Sequence, residues 1–530
     1  MSWAEIPMYA RFVVGLRRFL RKTITLEEAR AIVGERLAQR NENFLRIADR
    51  AIYGNSRSPY LALLKQAGCG PGDLRSELRQ KGLEGALSSL RQAGVYVTYE
   101  EFKGRAANPR AGLERPWSAR DFDNPLSETH LYAETGGSTG AGTRVPQDLD
   151  HYAARAGQHL VAVAALGLAN VPVILWRGIL PDGSGIGNVL QGAYVGNTPD
   201  RWFSQIAPFG TREGFKFTLA TYGAVGLARL YGRPLPFPRY VPLDRADVVA
   251  RAAVDLVKAK RNCIVMATVS RAARVSLAAR ELGLDLTGVV FVVGGEPNTL
   301  AKQRAIEQSG AAFYPWYSLS EVGRVGHGCA NPLDGTDLHL TRDGFALITH
   351  PHRFKEIEAT VPAFNLTTLM TSTPKIMLNV ELDDYGIVEE RACGCPLQHL
   401  GWTTHLREIH SFSKLTGEGV TLMGSDMLDI LENVLPARFG GSALDYQLLE
   451  QEDERGLTRL YLVISPRVQI SDEAQVLHAV MEALHKTSVM ADSARGIWQQ
   501  AGSLRIKRME PVWTARGKLL PLASQRESGQ

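Results

Sequence analysis

The chain has 530 residues, a formal net charge of +5, 45% hydrophobic and 22% charged residues, the balance of a folded globular protein. That length exceeds one ordinary core and predicts several domains, while so small a net charge gives no electrostatic case for a nucleic-acid partner. Its five cysteines, Cys69, Cys263, Cys329, Cys393 and Cys395, are too few and too uneven for a disulfide scaffold, which points to a reducing, cytoplasmic setting.

Residues 1–22 interleave Arg11, Arg17, Arg18 and Arg21 with Phe12, Val13, Val14, Leu16 and Phe19. A secretory signal would keep its charges ahead of an unbroken apolar run, so the segment reads as a helix docking on its own domain. Thr25-Leu-Glu-Glu opens a second helix with an N-cap threonine and an acidic first turn. Helical spacing continues through Ala51, breaks at Pro71-Gly72, and resumes over residues 73–93. Val95-Tyr-Val-Thr-Tyr99 alternates like a short strand. Residues 1–120 show no chemistry and read as a helical packing and lid-forming region.

Thr135-Gly-Gly-Ser-Thr-Gly-Ala-Gly-Thr143, followed by Arg144, is the most distinctive stretch. Glycines let a ligand approach the main chain, and successive free N–H groups with nearby hydroxyls make an anion-binding concavity. A flexible linker favours the same residues, and composition alone leaves both readings open. No Gly-Lys-Ser/Thr follows the glycines, which excludes a Walker-type loop. The most apolar run, residues 160–176, is interrupted by Gly167, Asn170 and Pro172 and gives no membrane span.

Residues 121–414 alternate buried-strand patterns (171–176, 263–268, 289–293) with helical ones (148–166, 245–260, 299–308), which predicts a largely parallel sheet covered by helices. Ligands in such sheets bind beyond the carboxyl ends of the strands. Two loops there stand out: Gly294-Gly-Glu-Pro297, and Tyr317-Ser-Leu-Ser-Glu321 after the apolar stretch 311–316. After a polar stretch at 403–419, the remainder predicts a small α+β domain, with helices at 425–435 and 471–485 and strands at 444–451, 459–465 and 504–509.

With Thr135–Thr143, Gly294-Gly-Glu-Pro297, Tyr317-Ser-Leu-Ser-Glu321 and Thr514-Ala-Arg-Gly-Lys518 in this order, the chain resembles the adenylate-forming superfamily, in its phenylacetate–coenzyme A ligase-like and acyl-protein synthetase-like branch. The resemblance spans about residues 130–520. It implies an α/β fold: a large N-terminal adenylate-forming domain (core at 121–414, preceded by the helical region 1–120) and a small mobile α+β domain at 415–530. It also implies an activity, the ATP-dependent conversion of a small carboxylic acid to an acyl-adenylate with release of pyrophosphate, then transfer to a thiol, coenzyme A first among acceptors. The alternatives are transfer to an acyl carrier protein, an enzyme thiol or an amine. A third reading is a catalytically inactive, zinc-stabilised nucleotide-binding protein.

Under the resemblance each motif has a role. Thr135, Gly136, Gly137, Ser138, Thr139 and Gly140 would cradle the phosphates, with Arg144 standing where the family usually has a Pro-Lys continuation. Gly294, Gly295 and Glu296 would border adenine, Tyr317 would stack on it, and Ser318 would lie beside it. Glu321 would hold magnesium, offsetting charge on the leaving pyrophosphate. Asp384, with Asp383 as its rival, would accept the ribose hydroxyls, and Arg407 or Lys414 would sit near ribose and hinge. Lys518 would neutralise charge growing on the carboxylate and α-phosphate oxygens. The aromatic residues Tyr194, Trp202, Phe203, Phe209, Phe215 and Phe217 read either as an acyl pocket or as core.

Cys393-Gly-Cys395 suits one metal ion, and Cys329 lies between His327 and His339. Three cysteines and a histidine make a closed tetrahedral zinc site. The branch resemblance implies the set Cys329, His339, Cys393 and Cys395, with His327 competing for the fourth position. Such a site would be structural.

Overall fold

A computed structural model describes the chain except residues 1–5, 107, 111, 113–114, 135–143, 210–213, 297, 354–359, 412–413, 418–419, 424–429, 453–457, 484–503, 513–521 and 525–530. The central element is a twelve-stranded sheet. A short antiparallel hairpin precedes it, formed by β1 (Leu131–Glu134) and β2 (Arg144–Gln147). In chain order the sheet contains β3 (Val173–Trp176), β4 (Arg201–Ser204), β5 (Pro238–Tyr240), β6 (Cys263–Ala267), β7 (Val289–Val293) and β8 (Ala312–Leu319). There follow β9 (Gly323–Gly328), β10 (Leu338–Leu340), β11 (Phe345–Arg353), β12 (Thr360–Thr368), β13 (Val380–Glu390) and β14 (Thr404–Ser411). The spatial order is β11-β12-β13-β14-β10-β9-β8-β7-β6-β3-β4-β5.

Only half of this sheet is parallel. The strands β5-β4-β3-β6-β7-β8 run parallel, whereas every pairing from β8 across to β11 is antiparallel. The expectation of a largely parallel sheet is corrected accordingly. The connection from β8 to β9 is too short for a crossover helix, so these strands can pair only as a hairpin. In the parallel half, β3 and β6 are buried along their whole length, which is why those strands read as unbroken apolar runs.

Three bodies of apolar side chains hold the sheet. On one face of the parallel half, Val249, Ala253, Val265, Phe291 and Ile306 form a buried cluster. Against Leu175, Ile186 and Trp202, the helix Ile6–Leu20 inserts Phe12, Leu16 and Phe19, so the N-terminal segment does dock on its own chain. Beneath the antiparallel half, Leu74, Leu78 and Leu87 from the helix Pro71–Gln92 meet Phe345, Leu366 and Val380. The helical N-terminal region thus supports the sheet half that carries β11–β14.

Local signals explain the element ends. Thr25 caps the helix Leu26–Ala38 with a reciprocal capping box to Glu28. Pro71 stands in the first turn of its helix instead of breaking it, where its missing N–H costs nothing. The strand expected at Val95–Tyr99 shrinks to one bridge between Val97 and Val380. Thr98 instead caps the short helix Tyr99–Phe102, accepting from the Glu101 N–H. In the C-terminal part, β15 (Lys414–Gly417) and β16 (Val420–Met423) form a hairpin. Beyond it lies a four-stranded sheet, ordered β19 (Leu504–Arg508), β18 (Thr458–Ile464), β17 (Tyr446–Glu452), β20 (Leu522–Ser524), with the helix Glu473–Ala483. The helix expected at 425–435 begins outside the described residues; those described form a π-helical turn, Ile430–Val434, leading into the helix Leu435–Phe439.

Candidate active site and cysteine–histidine cluster

The carboxyl ends of the parallel strands converge. After β7, Gly294 lies so close to β8 that a Cβ there would overlap the Trp316 indole and carbonyl. Gly295 follows with φ +88°, a backbone state that glycine adopts without strain. Glu296 turns inward. Its carboxylate accepts from the Ser270 N–H at 2.8 Å and the Ser270 hydroxyl at 2.7 Å, and Lys302 Nζ lies 3.4 Å away. Burial works to raise this carboxyl, and the Lys302 charge with the Ser270 bonds overrides it. Glu296 therefore ties the turn to the helix Val269–Glu281, and what it can offer a ligand at this turn is backbone.

At the end of β8 the pairing with β9 shifts register between Tyr317 and Ser318. Such an irregularity re-aims side chains. Tyr317 Oη donates to Asp384 Oδ2 at 2.7 Å, and Ser411 Oγ donates to Asp384 Oδ1. Burial and the Asp384 charge push the Tyr317 phenol well above its ordinary range, so it remains a donor. Asp384, not its neighbour Asp383, makes the bonds to Tyr317 and Ser411. Tyr317 and Asp384, far apart in the chain, are thus brought together. Ser411, its register partner across β13–β14, is a residue sequence reasoning missed.

Glu321 lies in the tight turn between β8 and β9 and is 5% exposed. Lys103 forms a close ion pair with its Oε1. Burial works to raise the Glu321 carboxyl, and the Lys103 ammonium overrides this and holds it below the ordinary glutamate value. Residues 1–120 therefore do contribute a charged group to this region. Nothing in the local sequence around Lys103 signals it, because its partner is distant in the chain.

Other expected residues lie elsewhere. Arg407 bonds Glu389 Oε1 and Asp334 Oδ2, each at 3.0 Å, and pairs in register with Ile387, away from the Asp384–Ser411 pair. The structure does not bring it to Asp384. Arg144 starts β2 opposite Glu134, its guanidinium 4.0 Å from the centroid of the Tyr132 ring. The phosphate-loop residues Thr135, Gly136, Gly137, Ser138, Thr139 and Gly140 lie outside the described residues, as does Lys518, and the side chain of Lys414 is likewise not described. Of the aromatic residues, Trp202 and Phe203 are buried in different clusters, and Tyr194 packs on Phe19. Phe209 and Phe215 pair at an exposed edge.

The second constellation lies on the neighbouring strands β9, β10 and β14. His339 is the register partner of both His327 and His405. One ligand atom from each of Cys329, His339, Cys393 and His405 falls within 4.8 Å of the others. Cys395 Sγ is 3.1 Å from His339 Nε2, closer than Cys393 Sγ at 3.6 Å. Hydrogen bonding with the Cys329 thiol, and further with His339, holds Cys395 well below the ordinary thiol range against the effect of burial. His339 Nδ1 bonds the Trp402 carbonyl at 2.6 Å, which turns Nε2 toward the sulfurs. His405 Nδ1 lies 2.7 Å from Asp337 Oδ1, and its buried Nε2 has no partner. Both imidazoles are thus oriented as metal-ligating ones are, the far nitrogen held by an oxygen. His327 instead stacks on Trp402. The geometry favours His339 over His327 and adds His405, which sequence reasoning missed.

A comparison with protein-family models finds no match, and neither does one with curated proteins. Solved structures do match. One is a 2-hydroxyisobutyryl-CoA ligase in complex with 2-HIB-AMP and CoA. It is 18% identical, has a TM-score of 0.54, and the alignment covers 96% of this chain and 92% of that one. An amide bond synthetase from Marinactinospora thermotolerans is 12% identical over 87% of this chain and 91% of its own, with a TM-score of 0.40. An anthranilate CoA ligase in complex with anthranoyl-AMP is 14% identical over 82% and 74%, with a TM-score of 0.36. Along nearly its whole length, this chain shares its fold with that 2-hydroxyisobutyryl-CoA ligase.

Proposed function

We propose that this chain activates a carboxylic acid with ATP and transfers the acyl group to a thiol, coenzyme A first among acceptors. The acid's carboxylate oxygen attacks the α-phosphorus, pyrophosphate leaves, and an acyl-adenylate remains. The thiol sulfur then attacks the acyl carbon and AMP departs. The observation that carries the reading is the Tyr317–Asp384 hydrogen bond, formed by the residue that follows Trp316, against which Gly294 packs. It sets an aromatic face for a base next to a carboxylate for a ribose, within a fold shared with an acyl-CoA ligase.

The donors fit the nucleotide and its metal. Asp384 would take the ribose hydroxyls, the Gly294-Gly295 backbone would border adenine, and Ser138 and Thr139 would donate to the phosphates. Glu321 offers a single hard oxygen donor, the kind that binds magnesium alongside phosphates and water. The metal would supply positive charge to the leaving pyrophosphate. Lys103, paired with Glu321, keeps that carboxylate ionised and in place. Lys518 would stabilise charge on the transferring oxygens. Cys329, His339, Cys393 and Cys395 have the donor chemistry of a structural zinc site. It would fasten the end of β9 to the segment after β13.

Acid-dependent pyrophosphate exchange tests the proposal. Exchange is expected with at least one member of a broad carboxylic-acid panel, and thioester should form when coenzyme A is added. Lys518→Ala should abolish exchange yet spare transfer from a supplied acyl-adenylate. Absence of exchange across the panel refutes activation, and amide or carrier-bound product in place of the thioester reassigns the acceptor.

A further inference from the structure

Behind the Tyr317 site lies a group of buried cations that the reaction above leaves unused. Arg177 follows β3, Arg324 lies in β9 opposite Ser318, and both flank Trp316, their guanidinium carbons 5.0 and 4.1 Å from its ring centroid. They are only 6% and 4% exposed. Arg177 Nη2 donates to the Ala267 carbonyl at 2.5 Å and Arg324 Nη2 to Asn188 Oδ1 at 2.6 Å. Among the described residues Arg177 Nε and Arg324 Nη1 are buried without a hydrogen-bond partner, and so is Nε of Arg155, which packs against Gly323. Gln205, one step beyond β4 and 1% exposed, has both amide atoms buried and unpartnered.

Among the described residues the compensating anions are missing. Among the described residues none of these three arginines has an ion-pair partner. The carboxylates whose charge reaches Arg177 are those of Asp182 and Glu296. Asp182 caps the helix Gly183–Tyr194 by accepting from the Ser184 N–H, and Glu296 is held by Ser270 and Lys302. Burial and the mutual repulsion of the guanidiniums depress Arg324 well below the ordinary arginine value. A buried charge without a partner is among the costliest features a fold can carry. A ligand that brings the opposite charge accounts for it.

We propose that the acid activated by this chain carries a second anionic group, a carboxylate or another oxyanion, which Arg177 and Arg324 bind beside Trp316. The proposal rests on the activation reading above. The reacting carboxylate is the weaker candidate for these cations. A pair of guanidiniums clamped on it would stabilise the ground state and blunt its attack on phosphorus. A group that does not react can be held by them throughout. Trp316 lies against both guanidiniums, and the planar forks of the two arginines suit a planar or tetrahedral oxyanion.

The test is pyrophosphate exchange with acids matched in length and differing only at the far end, methyl against carboxylate or sulfonate, in aliphatic and aromatic series. The charged member should be preferred about 100-fold or more in kcat/KM, since its loss leaves buried donors unpaired. Arg324→Met and Arg177→Met should erase or reverse the preference. Because methionine removes an uncompensated buried charge, Arg324→Met should also raise the melting temperature of the free enzyme, where a purely structural arginine would lower it. Preference for the methyl member by the wild type, or an unchanged preference in both variants, overturns the proposal while leaving activation intact. If no acid supports exchange, activation fails, and thermal shift with dicarboxylates alone decides the anion site. A rise in wild type that Arg324→Met loses supports it. No rise, or an equal rise with chloride, overturns it.

Discussion

Tyr317 Oη donates to Asp384 Oδ2 at 2.7 Å, joining β8 to β13, so under the proposed function one residue would offer a ring face while it fixes the carboxylate. The two contributions are separable. Tyr317→Phe keeps the ring but leaves a nearly buried carboxylate one donor short, a loss of about 1–3 kcal/mol in stability. Tyr317→Ala removes the stacking face as well. We expect KM for ATP in pyrophosphate exchange to rise about tenfold or less in Tyr317→Phe and far more in Tyr317→Ala. Equal effects in the two variants would show that the ring face contributes nothing.

The Lys103–Glu321 pair makes a prediction with a sign in pH. Both side chains are nearly buried, so removing the cation takes away the ion-pair partner of a buried carboxylate and leaves it the charge of Lys375. Lys103→Met should cost about 3–5 kcal/mol at neutral pH, measured by denaturant unfolding. In the wild type the Glu321 carboxyl is held below its unfolded value. Its stabilisation is therefore complete above the unfolded glutamate pKa and is lost as pH falls through the lower folded value. In Lys103→Met the folded value is no longer lowered by that ammonium, and burial acts to raise it. The stability gap between the two proteins should then narrow as pH falls from neutral into the acid range. A gap that is constant with pH would mean that Lys103 acts through packing alone.

What the sequence disclosed follows from where the chemistry lies along the chain. Gly294 and Glu321 were legible because each sits in a turn directly after a strand, where ligands of such sheets bind, while Tyr317 proves to lie inside the end of β8. Cys393-Gly-Cys395 was legible as a local spacing. Lys103 and Ser411 were not, because each acquires meaning only from a partner elsewhere in the chain, and the burial of Arg177 and Arg324 beside Trp316 is likewise visible only in the fold. Arg407 shows the converse: the family resemblance offered it, or Lys414, for a place near ribose and hinge, yet Glu389 and Asp334 hold Arg407 elsewhere. The antiparallel half of the sheet was also unread. Its strands carry polar residues such as Asn365, Thr367 and Glu381 inside the fold, so they lack the apolar runs that marked β3, β6 and β7.

Under the two proposals above, Gly294 would couple the nucleotide turn to the acid side of the site through Trp316. A methyl group there would overlap Trp316 side chain and backbone together, so no rotamer change relieves it. Gly294→Ala should destabilise the fold by about 1–3 kcal/mol, as overpacking does. Because Trp316 stands between Arg177 and Arg324, its displacement should raise KM for the acid more than KM for ATP. Steady-state exchange at varied acid and varied ATP separates the two, and an effect confined to ATP would place the strain on the adenine side.

The cysteine–histidine cluster offers more donors than a tetrahedral ion takes. Cys395 Sγ approaches His339 Nε2 most closely, while His405 Nε2 is buried, unpartnered and oriented by Asp337. If zinc takes Cys329, His339, Cys393 and Cys395, His405 stands outside the first four and supports them through its packing on the His339 ring, 4.1 Å between centroids. Protein purified without chelator should then hold one equivalent of zinc, His405→Ala should keep it, and His339→Ala or Cys395→Ser should lose most of it. Strong chelation should lower the melting temperature, because the ion fastens the end of β9 to the segment after β13. Less than about half an equivalent in the wild type would remove zinc from the account. Loss on His405→Ala with retention on Cys395→Ser would exchange those two ligands, which is the outcome that the Asp337–His405 contact makes worth measuring.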